Sequence, residues 1–430
     1  MADCDFDAIV VGAGCAGSVA AYELAKAGKS VLVVERGNSA GAKNMTGGRL
    51  YAHALKEVFP DCYTEAPFER RITHERISMM TPNSNMTIDF GSTEMEVAGQ
   101  ESYSVLRADF DPWLAGKAED AGAEFIYGIA VESLLMEDGR VKGIKAGEDE
   151  ITAEVVLLCD GVNSLLTEAA VGYKRPDASQ IAVGIKQVIA LPAGTIEDRV
   201  LAAEGDGAAW LFVGDCTRGR VGGGFMYTNK ESISLGLVAT ISDVAAGPVP
   251  VYQMLEDFKN HPSVAPLIKG GKVVEHSGHM VPEGGLSMMP PLCADGVLIA
   301  GESAMMCLNL GYMVRGMDFA IAAGQHAGRT AAEALAAGDT SKVALASYQK
   351  ALEENFVLKD LRQFSKFPHF MENCTRLFNE YPVLTRELMN GMFIVDGSPM
   401  KPLKQQGLAA VKNVGIFNLV GDAMKGMKAL

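Results

Sequence analysis

The chain has 430 residues, 48% hydrophobic and 21% charged, which supplies a large core and excludes global disorder. Thirty-eight Lys and Arg against 53 Asp and Glu give a formal net charge of −15, so a nucleic-acid partner is excluded for want of a basic excess. The eight cysteines contain no Cys-x-x-Cys, which excludes a zinc site of the usual spacing, a thioredoxin-like pair and a conventional iron–sulfur cluster. The acidic start, Met1-Ala2-Asp3-Cys4-Asp5, has neither the positive nor the apolar region of a secretory signal, and no apolar run has the length of a bilayer span. A cytoplasmic protein is expected, with contact to the cytoplasmic face of the inner membrane left open.

In chain order, Ala8 to Val11 reads as a short buried strand, followed at once by Gly12-Ala13-Gly14-Cys15-Ala16-Gly17. Ser18 to Ala27, rich in Ala and Leu and stopped by Gly28, reads as a helix. A second apolar strand, Val31 to Val34, ends in Glu35. A bare Gly-x-Gly-x-x-Gly is a weak signal; strand, loop, helix, strand and acid in succession mark a dinucleotide site. Gly12 allows the tight turn, Gly14 lets backbone approach a pyrophosphate, and Gly17 lets helix pack on strand. The helix N-terminus offers unpaired N–H groups to the phosphates, and Glu35 would accept from the ribose hydroxyls. The motif alone does not choose between FAD and NAD.

Further along, Gly41-Ala42-Lys43-Asn44-Met45-Thr46-Gly47-Gly48 forms a loop, and Arg107 stands at a helix start. Val155-Val156-Leu157-Leu158-Cys159-Asp160-Gly161 is a buried strand ending in Asp-Gly, and Asp295 to Ala304 is another running into Gly301-Glu302. Between them, Ile181–Val188 and Ser232–Val238 alternate as antiparallel strands, with Trp210 and Phe212 read as sheet core. His276 and His279 lack a third ligand and are read as packed or surface histidines. Gly311 and Gly316 bracket a turn before the helix Phe319–Ala337, whose small residues permit close approach to backbone or to a planar ring. Methionine pairs such as Met305-Met306 fit core filling or an apolar channel for a quinone. The tail is basic: Lys401, Lys404, Lys412, Lys425 and Lys428 oppose Asp422, and Ile416, Val420, Ala423, Met427 and Leu430 fall at helical spacing.

Three words, Leu308-Asn309-Leu310-Gly311-Tyr312-Met313-Val314-Arg315-Gly316-Met317-Asp318, the Gly41–Gly48 loop and His279-Met280-Val281-Pro282-Glu283-Gly284-Gly285, resemble the FixC family in order and spacing, to about residue 360. These are flavoproteins that accept electrons from electron-transfer flavoprotein and are related to electron-transfer flavoprotein–quinone oxidoreductase. The Asp-Gly and Gly-Glu strand ends likewise resemble the glutathione-reductase-type FAD superfamily, in its geranylgeranyl-reductase and hydroxylase-like branch. The resemblance implies an α/β fold: a glutathione-reductase-type FAD-binding domain with a Rossmann βαβ start, an inserted mixed or antiparallel-sheet domain and a helical C-terminal region. The expected boundaries are 1–75, 100–178 and 276–338 for the FAD domain, 76–99 and 179–275 for the sheet domain, and 339–430 for the helical region.

The cofactor implied is FAD. Gly12, Gly14, Cys15, Ala16, Gly17, Glu35 and Arg36 would hold its dinucleotide end, with Arg107 near the pyrophosphate. Lys43, Asn44, Gly47 and Gly48 form the flavin-facing loop, and Asp160, Gly161, Gly301, Asn309, Gly311, Gly316 and Met317 complete the site. Glu302 would bond the ribityl chain, where most members carry Asp. The implied function is electron transfer from the electron-transfer flavoprotein subunits toward a quinone. Because only Cys374 lies beyond Cys307, the cluster that relatives carry in one chain would belong to a separate small ferredoxin-like subunit. An isoprenoid-chain reductase and a flavin-bearing structural subunit are the alternatives. No catalytic acid or base, and no metal ligand, is nominated.

Overall fold

The structure, a computed structural model, describes residues 4–44 and 48–430. At its centre the strand Phe6–Val11 lies parallel between Val31–Glu35 and Asp149–Leu158, with Val10 level with Val33 and Leu157. Glu124–Tyr127 and Val297–Ile299 extend the parallel sheet on either side. Ala8, Ile9 and Val10 are wholly buried because helices cover the sheet, so these strands read as unbroken apolar runs. The first half of Asp149–Leu158 instead pairs antiparallel with Arg140–Ala146, which in turn pairs with Ser133–Glu137.

The helices Cys15–Lys26 and Met317–Ala337 cross at close range, as the small-residue pattern predicted. A Cβ on Gly324 would lie 2.2 Å from the Ala16 carbonyl oxygen, and one on Gly328 2.6 Å from that of Ala20. Only glycine fits either crossing point.

A nine-stranded sheet faces this unit, ordered Lys272–Pro282, Ile181–Ala190, Ser232–Thr240, Gly222–Thr228, Asp206–Gly214, Phe68–Thr81, Ser102–Val105 and Gly48–Tyr51, with Ser84–Gly91 hung on Phe68–Thr81. It is antiparallel except where Asp206–Gly214 runs parallel to Phe68–Thr81. Trp210 and Phe212 are sheet core: their rings stack at 5.1 Å, and the Trp210 indole N–H donates to Ser78 Oγ at 2.7 Å. The sheet differs from the expected boundaries in two respects. The 75/76 and 275/276 divisions fall inside the strands Phe68–Thr81 and Lys272–Pro282, and the short strands Gly48–Tyr51 and Ser102–Val105 also join this sheet. Four-residue strands carry too little periodicity to announce which sheet they enter.

From Lys342 onward the described chain is helical. It ends in Glu380–Phe393, Leu403–Val414 and Ile416–Ala429, the last two separated by Gly415 at φ +87. Among the described residues no helix is long and apolar enough to cross a membrane.

Candidate functional site

Between the two sheets runs a cavity of about 620 Å³. Its nucleotide end is the opening βαβ turn. Gly12 has φ +98, and a Cβ there would meet the Cys159 carbonyl oxygen at 2.5 Å. A Cβ on Gly17 would lie 1.9 Å from the Gly12 oxygen, so this third glycine packs helix against turn. Gly14 opens into the cavity, with only the Arg107 and Asn44 side chains within reach, at 3.7 and 3.9 Å. Glu35 is fixed at the rim: its Oε2 accepts from Ala13 N–H at 2.9 Å and its Oε1 from Gly37 N–H at 2.6 Å. Each carboxylate oxygen keeps a further lone pair for a ligand hydroxyl.

Arg107 is no surface residue. Its guanidinium donates to buried Asp111 through Nε at 2.5 Å and Nη2 at 2.7 Å, and the Asn44 amide donates to the same carboxylate. Burial works against the charge, but the Asp111 carboxylate outweighs it and holds the Arg107 pKa above its ordinary value. A fixed cation is therefore presented to the cavity beside Gly14.

Ser303 ties the two later strand ends together. Its hydroxyl accepts from Gly161 N–H at 2.8 Å and donates to Asp160 at 3.0 Å, while burial pushes the Asp160 carboxyl up. Glu302 lies on the cavity wall with His279 Nε2 3.9 Å from its Oε2. Gly301, Asn309, Gly311, Gly316 and Met317 line the same space, as do Cys15, Ala16, Arg36, Lys43 and Gly48. Gly17 lies behind it, and Gly47 lies outside the described residues.

The residues present fit FAD on grounds of shape and donor chemistry. Gly14 leaves a cradle that a side chain would fill, and Arg107 supplies an anion partner beside it. On the wall, Asn163 Oδ1 is buried with no hydrogen-bond partner among the described residues, an acceptor left for a ligand.

The far end of the cavity was not read from the sequence. One wall is sheet: Ile77, Leu211, Phe225 and Val238, with the Arg49–Glu75 ion pair and Tyr227 beside them. Burial pushes the Tyr227 hydroxyl up to about 12 and raises Glu75. Pro368, Met371, Glu372 and Phe378 close the opposite side from the helical region. Glu283 lines the space, accepts from the Thr240 hydroxyl at 2.9 Å, and is pushed up to about 7 by burial, with Glu372 and Asp243 adding repulsion. Strand alternation could have placed Phe225 and Tyr227 on one face; the wall from residues 368–378 carried no sequence signal. Of the clustered methionines, Met317 reaches the cavity, whereas Met288, Met305 and Met306 are core. Arg315 also serves structure: it donates to Asp318 and Asp360 and lies over the Phe319 and Phe356 rings, pinning the start of Met317–Ala337. His276 packs against Gln187 at 3.2 Å, and no metal-ligating group of three occurs among the described residues.

Comparison with known proteins supports the fold and the cofactor. Residues 5–197 match a family model described as an FAD binding domain, and 367–430 match the ETF-QO/FixC family C-terminal domain. The chain is 50% identical, over the whole of both chains, to the probable electron transfer flavoprotein-quinone oxidoreductase YdiS of Escherichia coli K12 and to Protein FixC of Salmonella typhi. It is 38% identical to the probable oxidoreductase YgcN of E. coli K12, over 99% of each chain. Among solved structures, a geranylgeranyl bacteriochlorophyll reductase-like protein of Thermoplasma acidophilum superposes with a TM-score of 0.70 at 21% identity, covering 97% of this chain and 98% of that one. The myxobacterial halogenase CndH gives 0.67 at 16% identity, covering 96% and 90%. These two show the fold alone. The full-length identity goes further: the chain belongs to the family of FixC and electron-transfer flavoprotein–quinone oxidoreductase, FAD-dependent flavoprotein oxidoreductases.

Proposed function

We propose that this protein receives electrons from electron-transfer flavoprotein and passes them toward a membrane quinone, working with a separate ferredoxin-like iron–sulfur subunit at the cytoplasmic face of the membrane. The observation that carries the reading is one cavity joining the Gly12–Gly17 turn to an apolar chamber walled by Leu211, Phe225 and Met371. Bound FAD supplies the carrier that exchanges electrons with both partners. The Gly12–Ala16 backbone and Arg107 would bind its pyrophosphate, Glu35 its ribose, Glu302 its ribityl chain, and Gly48, Gly316 and Met317 would border its ring. Ile77, Leu211, Phe225 and Val238 exclude water from the chamber, and the Arg49–Glu75 pair and Tyr227 offer polar contacts that orient a quinone carbonyl. The lack of clustered cysteines beyond Cys307 supports placing the iron–sulfur centre on another subunit.

The test is photoreduction of the FAD-loaded protein, then addition of a short-chain quinone, alone and with the small partner subunit. Reoxidation of the flavin by quinone in either case is expected. A flavin that stays reduced in both, or one that instead turns over a prenyl-chain substrate, would overturn the reading.

A further inference from the structure

Reduction of a quinone to quinol takes two electrons and two protons. Bound FAD in its reduced, anionic form supplies both electrons and one proton, so the second proton has to come from water. The Tyr227 hydroxyl, pushed up to about 12, would leave a buried phenolate if it gave its proton, and Glu75 is ion-paired with Arg49. Glu283 has neither bar. It follows the strand Lys272–Pro282, and its position is fixed from three sides. Its N–H donates to the Gln180 carbonyl at 2.9 Å, and its Oε1 accepts from the Thr240 hydroxyl at 2.9 Å. A Cβ on Gly284, φ +84, would meet the Cys307 carbonyl oxygen at 2.7 Å, and one on Gly285, φ +99, the Pro368 ring at 3.0 Å. The turn is thus wedged between the Cys307 backbone and the helix Phe367–Asn373, and Glu283 lines the cavity. That helix also carries Glu372, which lines the same cavity yet is 41% exposed, with the open His369 ring 3.9 Å from its Oε2. One carboxyl faces the chamber and the next reaches water.

We propose that Glu283 gives the quinone oxygen its second proton and that Glu372 replaces that proton from water, an assignment that rests on the quinone reading above. The O–H bond of the Glu283 carboxyl breaks as an O–H bond forms on the reduced quinone oxygen. The carboxylate left behind takes a proton from water by way of Glu372. With two electrons and one proton from the flavin, the quinol is complete. A general acid works best when its proton affinity matches the working pH. Burial first, then repulsion from Glu372 and from Asp243 on the helix Ile241–Ala246, pushes Glu283 up to about 7 against the Thr240 hydrogen bond. The Cys307 thiol, raised by burial and by the Glu302 and Glu283 carboxyls, stays neutral beside it. A Glu283 carboxylate would be a third negative charge beside Glu372 and Asp243, which draws the next proton in.

The experiment mixes photoreduced, FAD-loaded, full-length protein with a short-chain quinone or with ferricenium, an acceptor of electrons without protons, and follows flavin reoxidation. Wild type is expected to lose rate with quinone as pH rises through about 7, where Glu283 ionises. Glu283→Gln is expected to slow the quinone reaction about tenfold or more and to flatten that profile, with a much smaller effect on ferricenium. Glu372→Gln removes a repelling charge, so its profile is expected to move to lower pH. Independently of turnover, the infrared spectrum of the oxidised protein should show a protonated-carboxyl band that fades through about pH 7 and that Glu283→Gln lacks. A Glu283→Gln protein that matches wild type with quinone, slows equally with both acceptors, or keeps the infrared band would overturn the proposal and leave the quinone reading intact. A wild type that ferricenium oxidises but quinone does not would instead remove the quinone reading, and the proposal with it.

Discussion

Glu283 keeps its proton to about pH 7 because its carboxyl is buried on the cavity wall with Glu372 and Asp243 near. The folded state therefore holds that proton to higher pH than the unfolded chain does. Its contribution to stability is fully present below the ordinary glutamate value and is lost as pH rises through about 7. Glu283→Gln should remove this slope, leaving the variant more stable than wild type by roughly 2–3 kcal/mol near pH 8 and similar near pH 4. Urea unfolding across that range checks it, and parallel curves for the two proteins would disprove it. Gly17→Ala should cost about 3 kcal/mol or more and abolish FAD retention, since its Cβ would enter the Gly12 carbonyl oxygen. Melting and flavin content after gel filtration measure it; a variant that keeps both removes the packing argument. The two residues also show what sequence can carry. Gly17 was legible because its role is set by neighbours five residues away in a strand–turn–helix. The state of Glu283 was not, because burial by other elements, aided by repulsion from Glu372 and Asp243, raises it against the Thr240 hydrogen bond.

Two helices meet through glycines, and the terminal helix is tied to the body by the Arg376–Asp422 ion pair and the Tyr381 hydrogen bond. Gly324→Ala should push Met317–Ala337 away from Cys15–Lys26, because Ala16 backbone is the obstacle and cannot rotate aside. A loss of about 2 kcal/mol or more is expected, together with weaker FAD binding, read by titration of the apoprotein. This crossing was legible as a run of small residues. What the run would cross was not, since the tightly packing partner lies three hundred residues earlier, by the order of the separation between Arg329 and Glu23. At the other end of the chain, Arg376 and Tyr381 hold the Asp422 carboxyl down to about 2. That pair stabilises the tail above the ordinary aspartate range and releases it as pH falls through about 2. Asp422→Asn should loosen Ile416–Ala429 by about 1 kcal/mol after allowance for solvent screening. Faster limited proteolysis between Phe393 and Leu403 at neutral pH, with the rest of the chain intact, is the expected sign; equal cleavage rates would contradict it.

Over the whole molecule the two sheets share chain rather than follow one another. The expected layout of nucleotide unit, inserted sheet and helical tail held at the level of architecture, because long apolar strands and the glycine turn are local features. The strands Gly48–Tyr51 and Ser102–Val105 escaped it because their membership is fixed only by pairing with distant residues. The FAD cavity lies between the sheets, so ligand binding should stabilise both together: at free FAD a thousandfold above its dissociation constant, about 4 kcal/mol in a single transition. Calorimetry showing two transitions, only one moved by FAD, would separate the sheets energetically. The parallel register of Phe6–Val11 has a consequence for how the chain is made. Phe6–Val11 is translated well before its neighbour Asp149–Leu158, and Val297–Ile299, the next parallel strand, ends at residue 299 of 430. One edge of Phe6–Val11, paired early with Val31–Glu35 on its other side, must stay open until residue 158 is made, and the free edge of Asp149–Leu158 until residue 299. Residues 5–197, although they match a binding-domain model, lack both Val297–Ile299 and the helix that crosses at Gly324. Expressed as a fragment they would offer bare strand edges to one another, and aggregation rather than a miniature flavoprotein is what such edges produce.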